Sequence, residues 1–150
     1  MLFNRMTYIA IYILLLLGFT SCEKDKPITA HEDHIEAIGM ALFDSSNNQI
    51  FSILRGITTD TLLAEVSKSQ FMTAKFYNGN EELFDPGNDP DHTFNWEIED
   101  NSLVEIRKVE NQVFQIRIIG LKSGSTDIEF FIDHEGHADF RTGKFKLVVK

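Results

Sequence analysis

The chain has 150 residues, of which 43% are hydrophobic and 25% charged, and its formal net charge is −9. The 23 acidic residues outnumber the 14 basic ones, which argues against nucleic acid as a partner, because phosphate backbones are bound by clustered lysine and arginine. An acidic surface favours cationic ligands, or serves only to keep the protein soluble. The length is sufficient for one domain with its own core.

The first segment of the chain has the layout of a secretory signal. Arg5 precedes an apolar stretch from Met6 to Phe19, and the small residues Thr20 and Ser21 follow it. The stretch is shorter than the roughly 20 residues needed to cross a bilayer, so a permanent membrane span is the less favoured alternative. We therefore expect residues 1–21 to be a removable signal peptide.

The sequence Phe19-Thr20-Ser21-Cys22 resembles the lipobox of bacterial lipoproteins. This resemblance implies that the thiol of Cys22 receives a diacylglycerol and that the freed amine is then acylated. An ordinary signal peptide with an incidental cysteine is the alternative. Cys22 is the only cysteine, so no disulfide is expected within the chain. Two or three acyl chains would hold the protein stably to a membrane.

A charged run that ends in proline, Glu23 to Pro27, follows the cysteine and predicts an extended, solvated tether over residues 22–33. The run also resembles the acidic export tags that send lipoproteins of some Gram-negative groups to the outer face of the outer membrane. We therefore expect a lipid-anchored protein of the outer membrane, at the cell surface, with the periplasmic face as the alternative. Removal of residues 1–21 takes away Arg5 and no acidic residue, which changes the net charge from −9 to −10.

From about residue 34 onward, apolar and polar residues alternate in many short runs that are separated by turn residues. Alternation with a period of two is typical of strands that bury one face. Many short strands without a long helical pattern predict an all-β fold, an antiparallel sandwich of about seven strands. The residues predicted to share its core are Phe94, Trp96, Ile98, Ile116, Ile118, Phe130 and Ile132.

Residues 29–43 allow two interpretations. Thr29 and Glu32 have the spacing of a helix capping box, and apolar residues recur there at helical spacing. A strand is favoured, because Gly39 weakens a helix and apolar residues also alternate from Ile38 to Leu42. This strand would form an extra N-terminal hairpin, with residues 40–43 against residues 49–53.

Two segments of the second half, 94–106 and 118–128, resemble the bacterial Ig-like domain of group 2. A strand around Trp96 leads into a short strand at 103–106, and a Gly120-Leu-x-x-Gly124 turn opens the penultimate strand. The resemblance implies an Ig-like sandwich over residues 34–150 and brings no catalytic residues with it. The first half departs from the family through the extra hairpin and a long acidic insert from residue 78 to 92.

No motif for covalent or phosphate chemistry is present: there is neither a Gly-x-Ser-x-Gly elbow nor a phosphate-binding glycine loop, and the single cysteine is assigned to lipid. We therefore expect no enzyme activity and no organic cofactor. The alternating acids of residues 85–91 would suit calcium, but Pro86 and Pro90 break the loop that calcium requires. A mobile acidic loop is expected there.

The histidines are the residues that point to a ligand. Four of the five form two His-x-x-His pairs, and the fifth ends the acidic insert. Successive antiparallel strands alternate between the two ends of a sandwich, which places all five histidines at one end. A two-residue turn at Glu135-Gly136 would make His134 and His137 cross-strand neighbours. We predict a metal site, centred on His34, His134 and His137, with the candidate ligands His31, His34, Glu36, His92, His134, His137 and Asp139.

Imidazole nitrogens and carboxylate oxygens bind zinc and copper, and the sequence does not distinguish these two metals. The surroundings of His34-x-Glu36 and His137-x-Asp139 also resemble small exported proteins associated with metal uptake. That resemblance implies a protein that stores the metal or passes it to an outer-membrane transporter. One alternative is that the histidines are exposed polar residues with no ligand. Another is a non-catalytic adhesion or spacer module that binds a protein or a glycan.

Overall fold

The structure, a computed structural model, describes residues 35–150, which fold into two β-sheets without a helix. None of these residues therefore belongs to a helix long and apolar enough to cross a membrane. The twelve strands are β1 (Gly39–Phe43), β2 (Gln49–Leu54), β3 (Ile57–Thr58), β4 (Leu62–Ala64), β5 (Ser69–Tyr77), β6 (Leu83–Phe84), β7 (His92–Ile98), β8 (Val104–Val109), β9 (Gln112–Gly120), β10 (Gly124–His134), β11 (His137–Arg141) and β12 (Phe145–Val149).

The two sheets are of unequal size. The larger has seven strands in the order β3-β2-β1-β5-β9-β8, with β6 paired to β5. The smaller has five in the order β11-β10-β12-β4, with β7 paired to β10. The predicted all-β sandwich is confirmed, but the strands number twelve and not about seven, and β12 and β4 pair in parallel. The difference arises because strands as short as β3 and β6, two residues each, are too short to show an alternating pattern.

The predicted N-terminal hairpin is present, with Met40 of β1 opposite Ile53 of β2. Asp44 holds its turn closed, since its Oδ1 accepts hydrogen bonds from the backbone N–H groups of Ser46 and Asn48 at 2.8 and 2.9 Å. The strand prediction is therefore confirmed for β1. Residues 29–34 lie outside the described residues.

One core lies between the sheets, built from the inward-facing residues of both. The rings of Phe94 and Phe114 lie against Phe76, one from the smaller sheet and one from the larger, at centroid distances of 6.1 and 5.3 Å. The inward-facing residues of β10 from Ile128 to Ile132 are 0% exposed. His134 lies two residues after Ile132, so its side chain is on the same inward side of the strand. The core therefore ends at His134, which positions the site described below.

Five of the seven predicted core residues are buried, whereas Trp96 and Ile98 are only partly buried and pack against the core from its side. Both lie on β7, which pairs with β10 alone among the described strands. A cleft of about 490 Å³ separates them from Val104 and Ile106 on β8, the edge strand of the other sheet. Trp96 and Ile98 therefore lie at the margin of the predicted core and not within it, because the inward face of an edge strand is left uncovered where the two sheets separate.

Candidate metal centre

Three histidines form one row across three neighbouring strands of the smaller sheet. His134, the last residue of β10, lies opposite His92, the first residue of β7, and opposite His137, the first residue of β11. Residues directly opposite on neighbouring antiparallel strands point to the same face, with Cβ atoms ~4.5–5.5 Å apart. The register therefore brings all three imidazoles to the same end of the core.

The turn between β10 and β11 positions two of these three histidines, His134 and His137. Glu135 and Gly136 both have positive φ, 48° and 87°, as a two-residue turn of type I′ requires. The predicted pairing of His134 with His137 across this turn is confirmed by the strand register.

A bulge in β11 brings a carboxylate to the histidines. Ala138 lies opposite Asp133 and Phe140 lies opposite Ile132, so Asp139 is an extra residue without an opposite partner on β10. Such a bulge can re-aim a side chain. The exposed fraction of the Asp139 side chain is 2%, although the residue lies on an edge strand.

The two carboxylate oxygens of Asp139 face different groups. Oδ2 lies 3.7 Å from His92 Nε2 and 3.7 Å from His134 Nδ1, and it accepts a hydrogen bond from the backbone N–H of Ile35 at 3.3 Å. Oδ1 lies 3.3 Å from His137 Nε2. His92 and His134 are each 6% exposed, whereas the side chain of His137 is 53% exposed. The carboxylate thus lies between two buried imidazoles and one exposed imidazole.

The dimensions of the buried group fit a metal ion. One ligand atom from each of His92, His134 and Asp139 lies within 4.8 Å of the others. Two ligands of one ion at ~2.1 Å can be at most ~4.2 Å apart, and both 3.7 Å nitrogen-to-oxygen distances satisfy that limit. The two imidazole rings stack at a centroid distance of 4.4 Å and an interplanar angle of 16°.

A further carboxylate, Asp89 in the acidic insert, contacts the opposite side of His92. Its Oδ2 lies 3.5 Å from His92 Nδ1, while its Oδ1 accepts a hydrogen bond from the backbone N–H of Asp91 at 3.0 Å. A carboxylate on one imidazole nitrogen orients the ring and leaves the other nitrogen for a metal. Asp89 does not belong to the ligands predicted from the sequence. The signal available was an aspartate three residues before a histidine, a spacing at which a local turn joins the two side chains.

The acidic insert is attached to the body of the domain, whereas the sequence predicted a mobile loop. Asn88 donates from Nδ2 to the carbonyl of Asn111 at 2.8 Å and accepts from the backbone N–H of Val113 at 2.7 Å. A cleft of about 370 Å³ remains beside His92, with Lys108 on its wall. Burial lowers the pKa of Lys108, and the negative charge of Asp133 acts in the opposite direction.

The structure therefore brings together four of the predicted ligands: His92, His134, His137 and Asp139. Glu36 is exposed and does not belong to the buried group, so its assignment as a ligand gains no support. The predicted centre of His34, His134 and His137 also changes, because the buried group among the described residues consists of His92, His134 and Asp139, and His137 is exposed. His31, His34 and Cys22 lie outside the described residues, and their roles stay predictions.

No protein-family model matches the sequence, and no curated protein sequence matches it. Among solved structures, the chain is similar to a crystal structure of domains 4 and 5 of the S-layer protein SbsC, with 11% sequence identity and a TM-score of 0.39. The aligned region covers 59% of this chain and 40% of that chain, so the match spans less than half of the S-layer chain. A likeness of this size carries no argument about function, and the resemblances to group 2 Ig-like domains and to metal-uptake proteins stay hypotheses.

Proposed function

We propose that this protein binds a transition metal ion, zinc or copper, through His92, His134 and Asp139. The observation that carries the proposal is the burial of these three side chains together at the end of an apolar core. Histidines that were only polar turn residues would be solvated, whereas His92 and His134 are 6% exposed. Two imidazoles and a carboxylate gathered in one buried place are a ligand set that zinc and copper bind.

The ligand set also indicates how the metal is used. Structural zinc sites usually have four protein ligands, whereas three protein ligands leave one position open. The buried group supplies three, and His137 is close to Asp139 but exposed. An incompletely enclosed ion can be exchanged, which supports storage or delivery of the metal. The receiving partner would be an outer-membrane transporter.

The proposed location follows from the first segment of the sequence. We propose that lipid on Cys22 anchors the mature chain to the outer membrane and that residues 22–33 form a tether, with the cell surface favoured over the periplasmic face. The supporting observations are the lipobox-like sequence and the charged run after it. Cells grown with radioactive palmitate would label the protein, and Cys22→Ser would abolish the label. Label that persists in the variant would contradict the lipid anchor.

Calorimetric titration of residues 23–150 with Zn²⁺ and Cu²⁺ tests the metal site directly. Residues 23–150 retain every described residue and lack the Cys22 thiol, which would itself bind these metals. Fe²⁺ is a useful third probe, since two histidines and one carboxylate also bind ferrous iron. We expect one ion per chain, and weaker binding at lower pH because an imidazole must be neutral to coordinate.

The variants His92→Ala and His134→Ala should each reduce the affinity strongly, and a substitution remote from the site provides the control. The control is Asp127→Asn, which changes an acid on β10 that contacts Lys146 at 2.8 Å. Wild-type protein that binds none of the three metals would contradict the proposed function. The adhesion or spacer role would then be the better hypothesis.

A further inference from the structure

The two oxygen atoms of Asp139 face histidines of opposite exposure. Oδ2 is 3.7 Å from a nitrogen of each buried histidine, His92 and His134. Oδ1 is 3.3 Å from Nε2 of His137, whose side chain is 53% exposed. One carboxylate therefore contacts both the nitrogens of two buried histidines and a nitrogen of an exposed histidine.

We propose that His137 Nε2 and Asp139 Oδ1 form an exposed loading position through which the metal ion enters and leaves the buried site. This inference rests on the proposed function of the buried group. A divalent ion without ligands is strongly disfavoured outside water, so it moves between sites by exchanging ligands one at a time. On release, a bond to His137 forms as the bond to one buried histidine breaks, and the bond to the second buried histidine then breaks as an incoming ligand binds; loading is the reverse, and the carboxylate of Asp139 stays bound throughout the transfer. No electron is transferred, and the charge of the ion is unchanged.

The position of His137 suits contact with a partner. It begins β11, an edge strand of the smaller sheet, directly after the exposed turn at Glu135 and Gly136. A Cβ atom placed on Gly136 would meet nothing within 4 Å, so this corner of the domain is open. The ring of His137 nevertheless remains 6.0 Å, centroid to centroid, from that of His134. An ion held by one nitrogen and one oxygen there retains open positions for ligands of a receiving protein.

Rates of metal exchange distinguish this role from that of an ordinary ligand. The full chain, extracted from membranes in detergent and loaded with Zn²⁺, is mixed with excess EDTA in a stopped-flow instrument, and the rate of zinc loss is recorded. We expect His137→Ala to slow both release and loading by roughly tenfold. A tenfold change in rate corresponds to the loss of a transition-state interaction on the order of 1.4 kcal/mol. Since both rates fall, the equilibrium affinity should change by less than about threefold.

Glu135→Gln is the matched control, because Glu135 is an exposed residue of the same turn and the change preserves its size. Faster release with weaker affinity in His137→Ala would show that His137 is a permanent ligand and would overturn the loading role. Unchanged rates would also overturn it, since exchange would then use another route, such as the cleft beside His92. Both results leave the buried site intact, whereas absence of zinc binding in the wild-type protein would contradict the proposed function itself. Thermal unfolding of each variant confirms that it is folded.

Discussion

The backbone N–H of Ile35 donates a hydrogen bond to Oδ2 of Asp139 at a distance of 3.3 Å, although 104 residues separate the two in sequence. This bond attaches Ile35 to the carboxylate of the candidate metal centre. A metal ion bound to Oδ2 would compete with Ile35 for the same oxygen. Ile35 and the candidate metal site are therefore in direct contact.

The first prediction concerns His34, the residue that precedes Ile35 in the sequence. We expect His34→Ala to weaken zinc or copper binding by about 10- to 100-fold, the usual cost of losing a group that coordinates a metal or supports its ligands. Calorimetric titration measures the change, and His31→Ala, three residues further from Ile35, provides the comparison. Equal affinity of His34→Ala and the wild type would remove His34 from the set of ligands.

The second prediction concerns the charge of Asp139. Asp139→Asn preserves the size of the side chain and one oxygen but removes the negative charge that attracts a cation. We expect the affinity for zinc or copper to fall by about 10- to 100-fold. Competition with a chromogenic chelator measures the change against Asp127→Asn, which alters an acid that contacts Lys146 on the same sheet. Equal metal affinities of Asp139→Asn and Asp127→Asn would show that Asp139 is not a ligand.

The sequence predicted the parts of the site that depend on local spacing. Glu135 and Gly136 marked a two-residue turn, and this was sufficient to place His134 opposite His137. The position of Asp139 depends on a bulge, and the one-residue shift that a bulge causes in the alternating pattern cannot be recognised in a strand of only five residues. The contact between Asp89 and His92 likewise required the folded shape of the insert.

For the fold, alternation correctly identified the strands whose inward residues are covered from both sides, such as β9 and β10. It could not distinguish Trp96 from Phe94, because both occupy the inward phase of β7. The difference between them depends on which part of the opposite sheet covers each residue. That is a property of the packed sheets and not of the strand.

The third prediction uses this difference between Phe94 and Trp96. Phe94 is 1% exposed and stacks on Phe130 at a centroid distance of 5.2 Å, so we expect Phe94→Ala to reduce the free energy of unfolding by ~3–5 kcal/mol. Trp96→Ala should cost clearly less, because Trp96 already lines an open cleft. Urea unfolding of both variants provides the comparison. A larger loss for Trp96→Ala would mean that the cleft is closed in solution.

The fourth prediction concerns the close approach of two backbone segments at Gly120. A Cβ atom at this position would collide with the carbonyl oxygen of Glu65 and lie 2.7 Å from its carbonyl carbon. Since backbone atoms cannot move aside easily, Gly120→Ala should destabilise the domain by about 1–3 kcal/mol. Gly79→Ala is the control, because a Cβ atom there would meet nothing within 4 Å. Similar unfolding midpoints for the two variants would contradict the close approach at Gly120.

The fifth prediction concerns acid stability and rests on Glu129. Hydrogen bonds from Arg141, at 3.2 and 2.9 Å, hold the pKa of Glu129 below its ordinary value of 4.5. A carboxylate whose pKa is lowered in the folded state stabilises the fold above its ordinary pKa, and this contribution is lost as the pH falls through the lowered value. Glu129→Gln should therefore reduce the free energy of unfolding by about 1 kcal/mol at neutral pH and by progressively less below pH 4.5.

Urea unfolding at several pH values measures this difference, with Glu110→Gln in an exposed turn as the control. A difference between Glu129→Gln and the wild type that stays constant from neutral to acidic pH would show that the ionised carboxylate does not stabilise the fold.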